Sequence, residues 1–223
     1  MKLLALDTAT EACSVALWLD GQVLESTEMG SQHAGRLLPM VDALLAEAGL
    51  TLKQLDVIAF GRGPGSFTGL RIGAGVTQGL AFGADLPVIA VSSMAALAQG
   101  VEAPKVLTAF DARMKQVYWG AYQRNPDGLV APVAAEIVID PALAPLPAGD
   151  AWVVAGSGWD AYQDVLEPRL RAQRSSGLFG CVPHARDVAI LAIERFKAGD
   201  VMTPELAVPV YIRDEVAKKS GAS

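Results

Sequence analysis

The sequence has few of the side chains that close disulfides or hold metal ions. Its 223 residues include only two cysteines, Cys13 and Cys181, and two histidines, His33 and His184. None of the four belongs to a cluster with the spacing of a metal-ligand set. We therefore expect neither a disulfide framework nor a bound metal, and two unpaired cysteines are typical of a reducing compartment.

Positive charge and long apolar runs are also scarce. Charged residues make up 19% of the chain and the formal net charge is −6, with no basic stripe of the kind that neutralises phosphates. No apolar run approaches the roughly 20 residues of a membrane helix, and Asp7 interrupts the apolar start before it reaches export-signal length. The composition predicts a folded cytoplasmic protein that does not grip nucleic acid alone.

Two familiar catalytic motifs are missing from the one glycine-rich segment. That segment, "GRGPGSFTGLRIG", covers residues 61–73 and follows an apolar stretch at 57–60. It contains neither a Gly-x-Ser-x-Gly elbow nor the Gly-Lys-Ser/Thr of a Walker loop. A glycine-rich turn between a strand and a helix is nevertheless typical of phosphate binding. The segment is therefore a working phosphate cradle, a relic of one, or a packing device for a partner.

Strands and helices alternate along the first half, which predicts an α/β fold with helices packed on a sheet. Asp20-Gly21 marks a hairpin turn, Gly49 marks a helix end, and Ser92 or Ser93 caps a helix. The predicted strands cover 2–7, 13–19, 22–26, 56–60 and 88–91, and the two long predicted helices cover about 31–48 and 67–83.

The pattern begins again after residue 104. "KLLALDTATEACSVALWL" and "KVLTAFDARMKQVYWGAY" both place a Lys-led strand that ends on Asp before a second strand. Two ordinary hairpins would give the same pattern, but the matching order favours duplication. We expect domains at 1–103 and 104–223, with the C-terminal helix packing back on the first. The second half is predicted to contain strands 105–111, 116–122 and 152–155, a loop at 141–149 and a helix at 186–198.

The turn after each leading strand is a candidate phosphate site. The first turn reads Asp-Thr-Ala-Thr, while the second, "DARM", has no glycine to let backbone N–H groups approach a phosphate. Each Asp is equally well explained as a turn residue at a strand end. Arg62 and Arg71 flank the glycine segment, facing either an anion or solvent. The candidate vestigial phosphate-loop residues are Asp7, Thr8, Thr10, Gly63, Gly65 and Asp111.

Glycines on the helix after the loop suggest close packing. Five of them, from Gly69 to Gly83, fall within an arc of about 160°, although each costs about 0.5–1 kcal/mol against alanine. Their own sheet or a partner chain would explain this arc. The helix at 31–48 likewise has more apolar surface than one packed side requires. The predicted partner surface comprises Leu37, Leu38, Val41, Leu44, Leu45, Gly69, Gly73, Gly75 and Gly79.

Several of these segments together resemble the bacterial TsaB (YeaZ) family. They are "LALDTATEACSVAL", "HAGRLLPMVDALL", "GRGPGSFTGLRIG", "LPVIAVSSMAAL", "DARMKQVYWGAY" and "PVYIR". The resemblance implies a fold of two actin/sugar-kinase/Hsp70-like (ASKHA) domains. It also implies an accessory subunit for making threonylcarbamoyladenosine in tRNA, at the adenosine beside the anticodon of tRNAs reading codons that begin with A.

The resemblance further implies that this chain is not itself an enzyme. The catalytic paralogue of the family, TsaD, carries a metal-binding His-x-x-x-His pattern where this chain has Ser93 and Leu97. No catalytic residue, metal or cofactor is then expected. A small-molecule kinase of the same fold would need two intact phosphate loops, and "DARM" argues against it.

The partners implied by the resemblance form one assembly. Helices 31–48 and 67–83 would pair with TsaD, and the ATPase subunit TsaE would dock on the pair. Contact with tRNA would occur only within that complex. Without TsaD we expect a homodimer through the same apolar face, because exposed apolar patches usually mark interfaces.

Overall fold

The computed structural model describes residues 1–30 and 32–213, which form two β-sheets with helices packed on them. The first half of the chain forms a five-stranded sheet. Its strands are β1 (Lys2–Asp7), β2 (Ala12–Leu19), β3 (Gln22–Met29), β4 (Val57–Gly61) and β5 (Val88–Val91). Its helices are α1 (His33–Glu47), α2 (Phe67–Ala84) and α3 (Ser93–Gly100).

The second half forms a six-stranded sheet from shorter elements. Its strands are β6 (Lys105–Asp111), β7 (Val117–Arg124), β8 (Val130–Pro132), β9 (Ile137–Ile139), β10 (Trp152–Ala155) and β11 (Arg174–Leu178). Its helices are α4 (Ser157–Ala161), α5 (Gln163–Leu170) and α6 (Ala185–Lys197).

The two sheets repeat one topology, which explains the repeated sequence pattern. The first has the order β3-β2-β1-β4-β5 and the second the order β8-β7-β6-β10-β11, with β9 also pairing with β7. In the first sheet the leading strand β1 is antiparallel to β2 and parallel to β4. In the second sheet the leading strand β6 is likewise antiparallel to β7 and parallel to β10. The halves differ in one connection. The first half has the helix α1 there, whereas the described part of the second half has a 3₁₀ turn, Pro141–Leu143.

Apolar side chains cover both faces of the first sheet. One face packs against α1 and α2, and the other packs against α6, whose Ala185, Val188, Ala189 and Ala192 lie among residues of β1, β2 and β4. Because α6 comes from the second half, the chain crosses back after completing the second sheet. The domain boundary at residue 103 stays a prediction.

The first-half elements lie within a few residues of their predicted positions. Gly49, with φ +64°, ends α1 as expected, and the Leu50 N–H donates to the Leu45 carbonyl at 2.9 Å. Ser92 caps α3 by accepting from the Ala95 N–H at 3.2 Å. Pro39 lies within α1 without ending the helix.

Elements of the second half account for most of the differences. The strands β8, β9 and β11 and the helices α4 and α5 are additional to the prediction. The predicted helix start near residue 31 and the charged tail at 214–223 lie outside the described residues. Among the described residues, no helix combines the length and apolarity needed to span a membrane.

Candidate functional site

The glycine-rich segment packs directly on the turn between β1 and β2. Every fourth residue from 61 to 73 is a glycine, and we call Gly61, Gly65, Gly69 and Gly73 the glycine ladder. A Cβ atom placed on these four would lie 1.8 Å from Asp7 Oδ2, 2.2 Å from Ala9 O, 2.1 Å from Thr8 O and 2.4 Å from Thr8 Oγ1, respectively. No side chain fits at these distances, so the ladder is an internal packing surface.

Hydrogen bonds tie the β1–β2 turn to the glycine-rich segment and to α1. The Ser66 N–H donates to the Ala9 carbonyl at 2.7 Å, and Thr8 Oγ1 donates to the Gly69 carbonyl at 2.8 Å. The Thr10 carbonyl accepts from His33 Nε2 at 2.8 Å. These bonds hold the turn against the glycine-rich segment and α1.

Asp7 is buried beneath the loop, not directed into a cleft. Its Oδ1 accepts from the Ala9 N–H at 2.8 Å and its Oδ2 from Ser93 Oγ at 2.7 Å. Only 2% of the residue is exposed. Burial raises the pKa of this carboxyl from 3.8 to about 6, against the opposing effect of both hydrogen bonds.

The two residues at which the resemblance to the TsaB family implies lost metal ligands, Ser93 and Leu97, have no metal-binding groups. Ser93 lies at the start of α3 and is fully buried against Asp7. Leu97, one turn later, packs into the core around Phe110 and Tyr122. Among the residues that the structure describes, no cluster of three or more His, Cys, Asp and Glu side chains could hold a metal ion.

The second-half turn binds its own aspartate. Asp111 accepts from the Arg113 N–H at 2.8 Å and from Arg113 Nη1 at 3.0 Å. Residues 113–115 all have left-handed backbones, with φ of +61°, +54° and +59°, although none is glycine. Tyr162 Oη also donates to Asp111 Oδ1 at 3.4 Å, so the Asp111 carboxylate is engaged by protein groups.

The second half also has a glycine loop. It does not follow the leading strand β6, where "DARM" lies, but follows β10. Gly156 and Gly158 follow β10, the counterpart of β4. A Cβ atom on either would lie within 2.8 Å of Ala109. The close approach of a glycine loop to the leading strand is therefore repeated in both halves.

The predicted partner surface needs correction at six residues. Leu37, Val41, Leu44 and Leu45 are at most 8% exposed and pack in the core of the first sheet, because that sheet and α2 together cover the apolar stripe of α1. Of the predicted leucines and valine, only Leu38, 44% exposed, remains at the surface. Gly69 and Gly73 belong to the glycine ladder and face the β1–β2 turn.

The remaining glycines of the arc are open. A Cβ atom on Gly75, Gly79 or Gly83 would meet no atom within 4 Å. The arc therefore has two parts. The first part packs against the protein's own β1–β2 turn, and the later part lies on the molecular surface. Gly63, by contrast, is not open. Its φ of +98° is a backbone conformation that favours glycine, and a Cβ atom there would lie 2.8 Å from Leu70 Cδ1.

Aromatic side chains flank these open glycines. The Arg71 guanidinium lies 3.7 Å from the centroid of the Phe67 ring, and Arg71 Nε donates to the Tyr211 hydroxyl at 3.0 Å. Near the other end of α2, Phe82 is 71% exposed. Helical spacing places five exposed residues within about 120° of one another, and we call Phe67, Arg71, Gly75, Gly79 and Phe82 the outer face of α2.

Known proteins share this arrangement over nearly the whole chain. The family model described as TsaD, tRNA N6-adenosine threonylcarbamoyltransferase, matches residues 27–220. The tRNA threonylcarbamoyladenosine biosynthesis protein TsaB of Escherichia coli (strain K12) is 43% identical over 227 residues, covering 98% of this chain and 97% of that protein. The chain belongs to the bacterial TsaB (YeaZ) family.

Two further members of the TsaB family support the assignment. The Haemophilus influenzae protein of the same name is 42% identical, with 98% of this chain and 96% of that protein covered. The solved structure of YeaZ from Pseudomonas aeruginosa superimposes with a TM-score of 0.88 at 46% identity, covering 94% of this chain and 99% of that chain. The predicted family and the predicted α/β fold of two repeated sheets are confirmed.

Proposed function

We propose that this TsaB-family chain is a non-catalytic subunit for the synthesis of threonylcarbamoyladenosine in tRNA. It would support TsaD, which transfers the threonylcarbamoyl group to the adenosine beside the anticodon of tRNAs reading codons that begin with A. The observation that carries the proposal is the buried hydrogen bond from Ser93 to Asp7, made where TsaD has a metal-binding histidine. The names of the relatives point to the same pathway. We infer a cytoplasmic location from that role, because the tRNA substrate is in the cytoplasm.

The packing of the two aspartate turns argues against the alternative of a small-molecule kinase. A kinase of this fold needs donors from both halves to converge on the phosphates. Here the first turn is closed by the glycine ladder, and the second engages its own Asp111. The chain would therefore act through its surface.

The outer face of α2 and the exposed Leu38 of α1 are the surface we assign to TsaD. Exposed aromatic and arginine side chains are typical of residues that dominate binding energy at interfaces. The open Gly75 and Gly79 allow the backbone of a neighbouring helix to approach closely. We infer that a second copy of the chain covers this face when TsaD is absent. TsaE would dock on the TsaB–TsaD pair, and tRNA would bind only to the complex.

Substitution of Gly79 by leucine tests this surface. The variant inserts a large side chain where two backbones would meet, and we expect a loss of about 1–3 kcal/mol of pairing energy, or roughly 5- to 150-fold in Kd. Size-exclusion chromatography and calorimetry with purified TsaD would measure the change.

Ala198→Leu provides the matched control, since Ala198 is an exposed small residue at the end of another helix, α6. We expect it to pair with TsaD like the unmodified chain. Unchanged pairing of a correctly folded Gly79→Leu variant with both TsaD and itself would show that the outer face of α2 is not the interface.

A further inference from the structure

A large cavity lies between the two halves, apart from both aspartate turns. Its volume is about 680 Å³, within the roughly 300–1,000 Å³ of sites for small organic ligands. The ends of β4 and β5, the β7–β8 hairpin, α6 and the segment 208–212 surround it. Neither Asp7 nor Asp111 is among the lining residues. The cavity is thus separate from the vestigial phosphate turns.

Most of the polar side chains in this cavity already have partners. Arg195 donates to the Ala90 carbonyl and to Asp200, and Glu194 pairs with Lys197. These groups are held by the protein and are poorly placed to recognise a ligand.

Arg62 is different, because its backbone is fixed while its guanidinium makes no hydrogen bond with the described residues. Its N–H donates to the Val91 carbonyl at 2.8 Å, and its carbonyl accepts from the Val210 N–H at 2.9 Å. Within 1–30 and 32–213, the guanidinium has no hydrogen bond or ion pair, although it lines the cavity. Five N–H donors in a planar fork are therefore available for an anionic group such as a carboxylate.

Glu136 presents the opposite charge in the same cavity. Its Oε1 accepts from both Ser92 Oγ and the Tyr122 hydroxyl, which fixes the side chain. Burial, followed by the charge of Glu136, raises the pKa of Tyr122 well above its ordinary value, so the phenol stays protonated and donates. Oε2 has no protein partner among the described residues and can accept from an ammonium group.

Apolar side chains line the same cavity as these two charges. Among the described residues, Arg62 and Glu136 form no ion pair with each other, and Ala95, Leu129, Val130, Leu191 and Ile212 also line the cavity. We propose that the cavity binds a zwitterion with an apolar side chain, its carboxylate on Arg62 and its ammonium on Glu136. A free α-amino acid and a short apolar peptide share this chemistry, and the volume accommodates either.

Calorimetry with L-leucine and with the dipeptide Leu-Leu tests the proposal on the intact chain. We expect saturable binding to a single site, and tighter binding by one of the two probes identifies the source of the zwitterion. N-acetyl-leucine, which lacks the ammonium, and leucinamide, which lacks the carboxylate, should each bind at least 10-fold more weakly. Absence of saturable binding by L-leucine and Leu-Leu up to about 10 mM overturns the assignment.

Two variants connect the binding to the named side chains. Arg62→Gln should weaken leucine binding at least 10-fold, whereas Arg71→Gln, at the arginine stacked on Phe67 outside the cavity, should leave it unchanged. Glu136→Gln should weaken leucine but not 4-methylpentanoate, which has no ammonium. If either cavity variant binds leucine as the unmodified chain does, the assigned contact is wrong. Melting temperatures confirm that each variant is folded.

Discussion

At the scale of single residues, the buried carboxyl of Asp7 lowers stability near neutral pH. Because its folded pKa of about 6 is above the value of 3.8 for an exposed group, its favourable contribution is complete below about pH 4. That contribution is lost as the pH rises through 6. Asparagine would keep the bond from Ala9 and could donate to Ser93, without ionising. We predict that Asp7→Asn stabilises the chain by about 1–3 kcal/mol at pH 7.5.

Urea unfolding at pH 7.5 and 4.5 would measure this difference. The gain should shrink at the lower pH, where the natural carboxyl is also neutral. Asp42→Asn, on the exposed face of α1, serves as the control and should change little. A variant at Asp7 that is equally or less stable at pH 7.5 contradicts the prediction.

Residue positions were easier to predict than residue environments. The strand that ends at Asp7 follows from local apolar pattern, and the structure has it where expected. The partner of Asp7 is 86 positions away, and nothing in the local sequence shows that Ser93 closes over it. The sequence shows Arg62 near the start of the glycine-rich segment, but the cavity that it lines is formed by segments distant in sequence.

At the scale of elements, α2 contains two kinds of glycine with opposite responses to the same change. A methyl group at Gly69 would lie 2.1 Å from the carbonyl oxygen of Thr8, which is backbone and cannot move aside alone. Overpacking a core typically costs about 1–3 kcal/mol of folding free energy, and we predict that Gly69→Ala costs more than this range. Gly75→Ala meets no atom and should stabilise the helix by about 0.5–1 kcal/mol. Thermal unfolding of the two variants would give shifts of opposite sign.

The helix α1 shows how far periodicity predicts burial. The apolar stripe of α1 correctly indicated a helix, but helical spacing cannot tell whether a sheet or a partner covers it. In the structure the first sheet and α2 cover Leu37, Val41, Leu44 and Leu45. The short elements α4, α5 and β11 were not predicted, because α5 is largely polar and β11 begins Arg-Ser-Ser. The topology that the second half repeats specifies these three elements, whereas the local sequence pattern does not.

At the scale of the whole molecule, α6 connects the second half to the first sheet, and its N-terminus is held by residues of β2 and β3. Ser14 Oγ accepts from the Ala185 N–H at 2.9 Å, which is a capping bond from a distant strand. His184 Nδ1 lies 3.0 Å from Glu25 Oε1. The bond to Glu25 raises the pKa of His184 above 6.5, although burial opposes it. The pair is therefore favourable at pH 6 and weakens as the pH rises.

We predict that His184→Gln lowers the stability of the chain by about 0.2–1 kcal/mol at pH 6 and much less at pH 9. Thermal unfolding at the two pH values would show it, with an expected shift of about 1–3 °C at pH 6. Arg36→Gln removes an exposed ion pair to Glu28 and should have the same small effect at both pH values. An equal effect of His184→Gln at both values would mean that the histidine contributes by packing alone.

The glycine ladder limits how this protein tolerates mutation. Opposite Gly65 and Gly69 the nearest atoms are backbone carbonyl oxygens, so no substitution in the β1–β2 turn can make room for a side chain at either position. A replacement there has no single compensating change and would require a strand and a helix to separate together. Catalytic side chains can be lost one at a time at little cost to the fold, whereas these glycines cannot. The most recognisable segment of the sequence is therefore a record of steric fit, and it would persist in a descendant that had lost every chemical function of its ancestor.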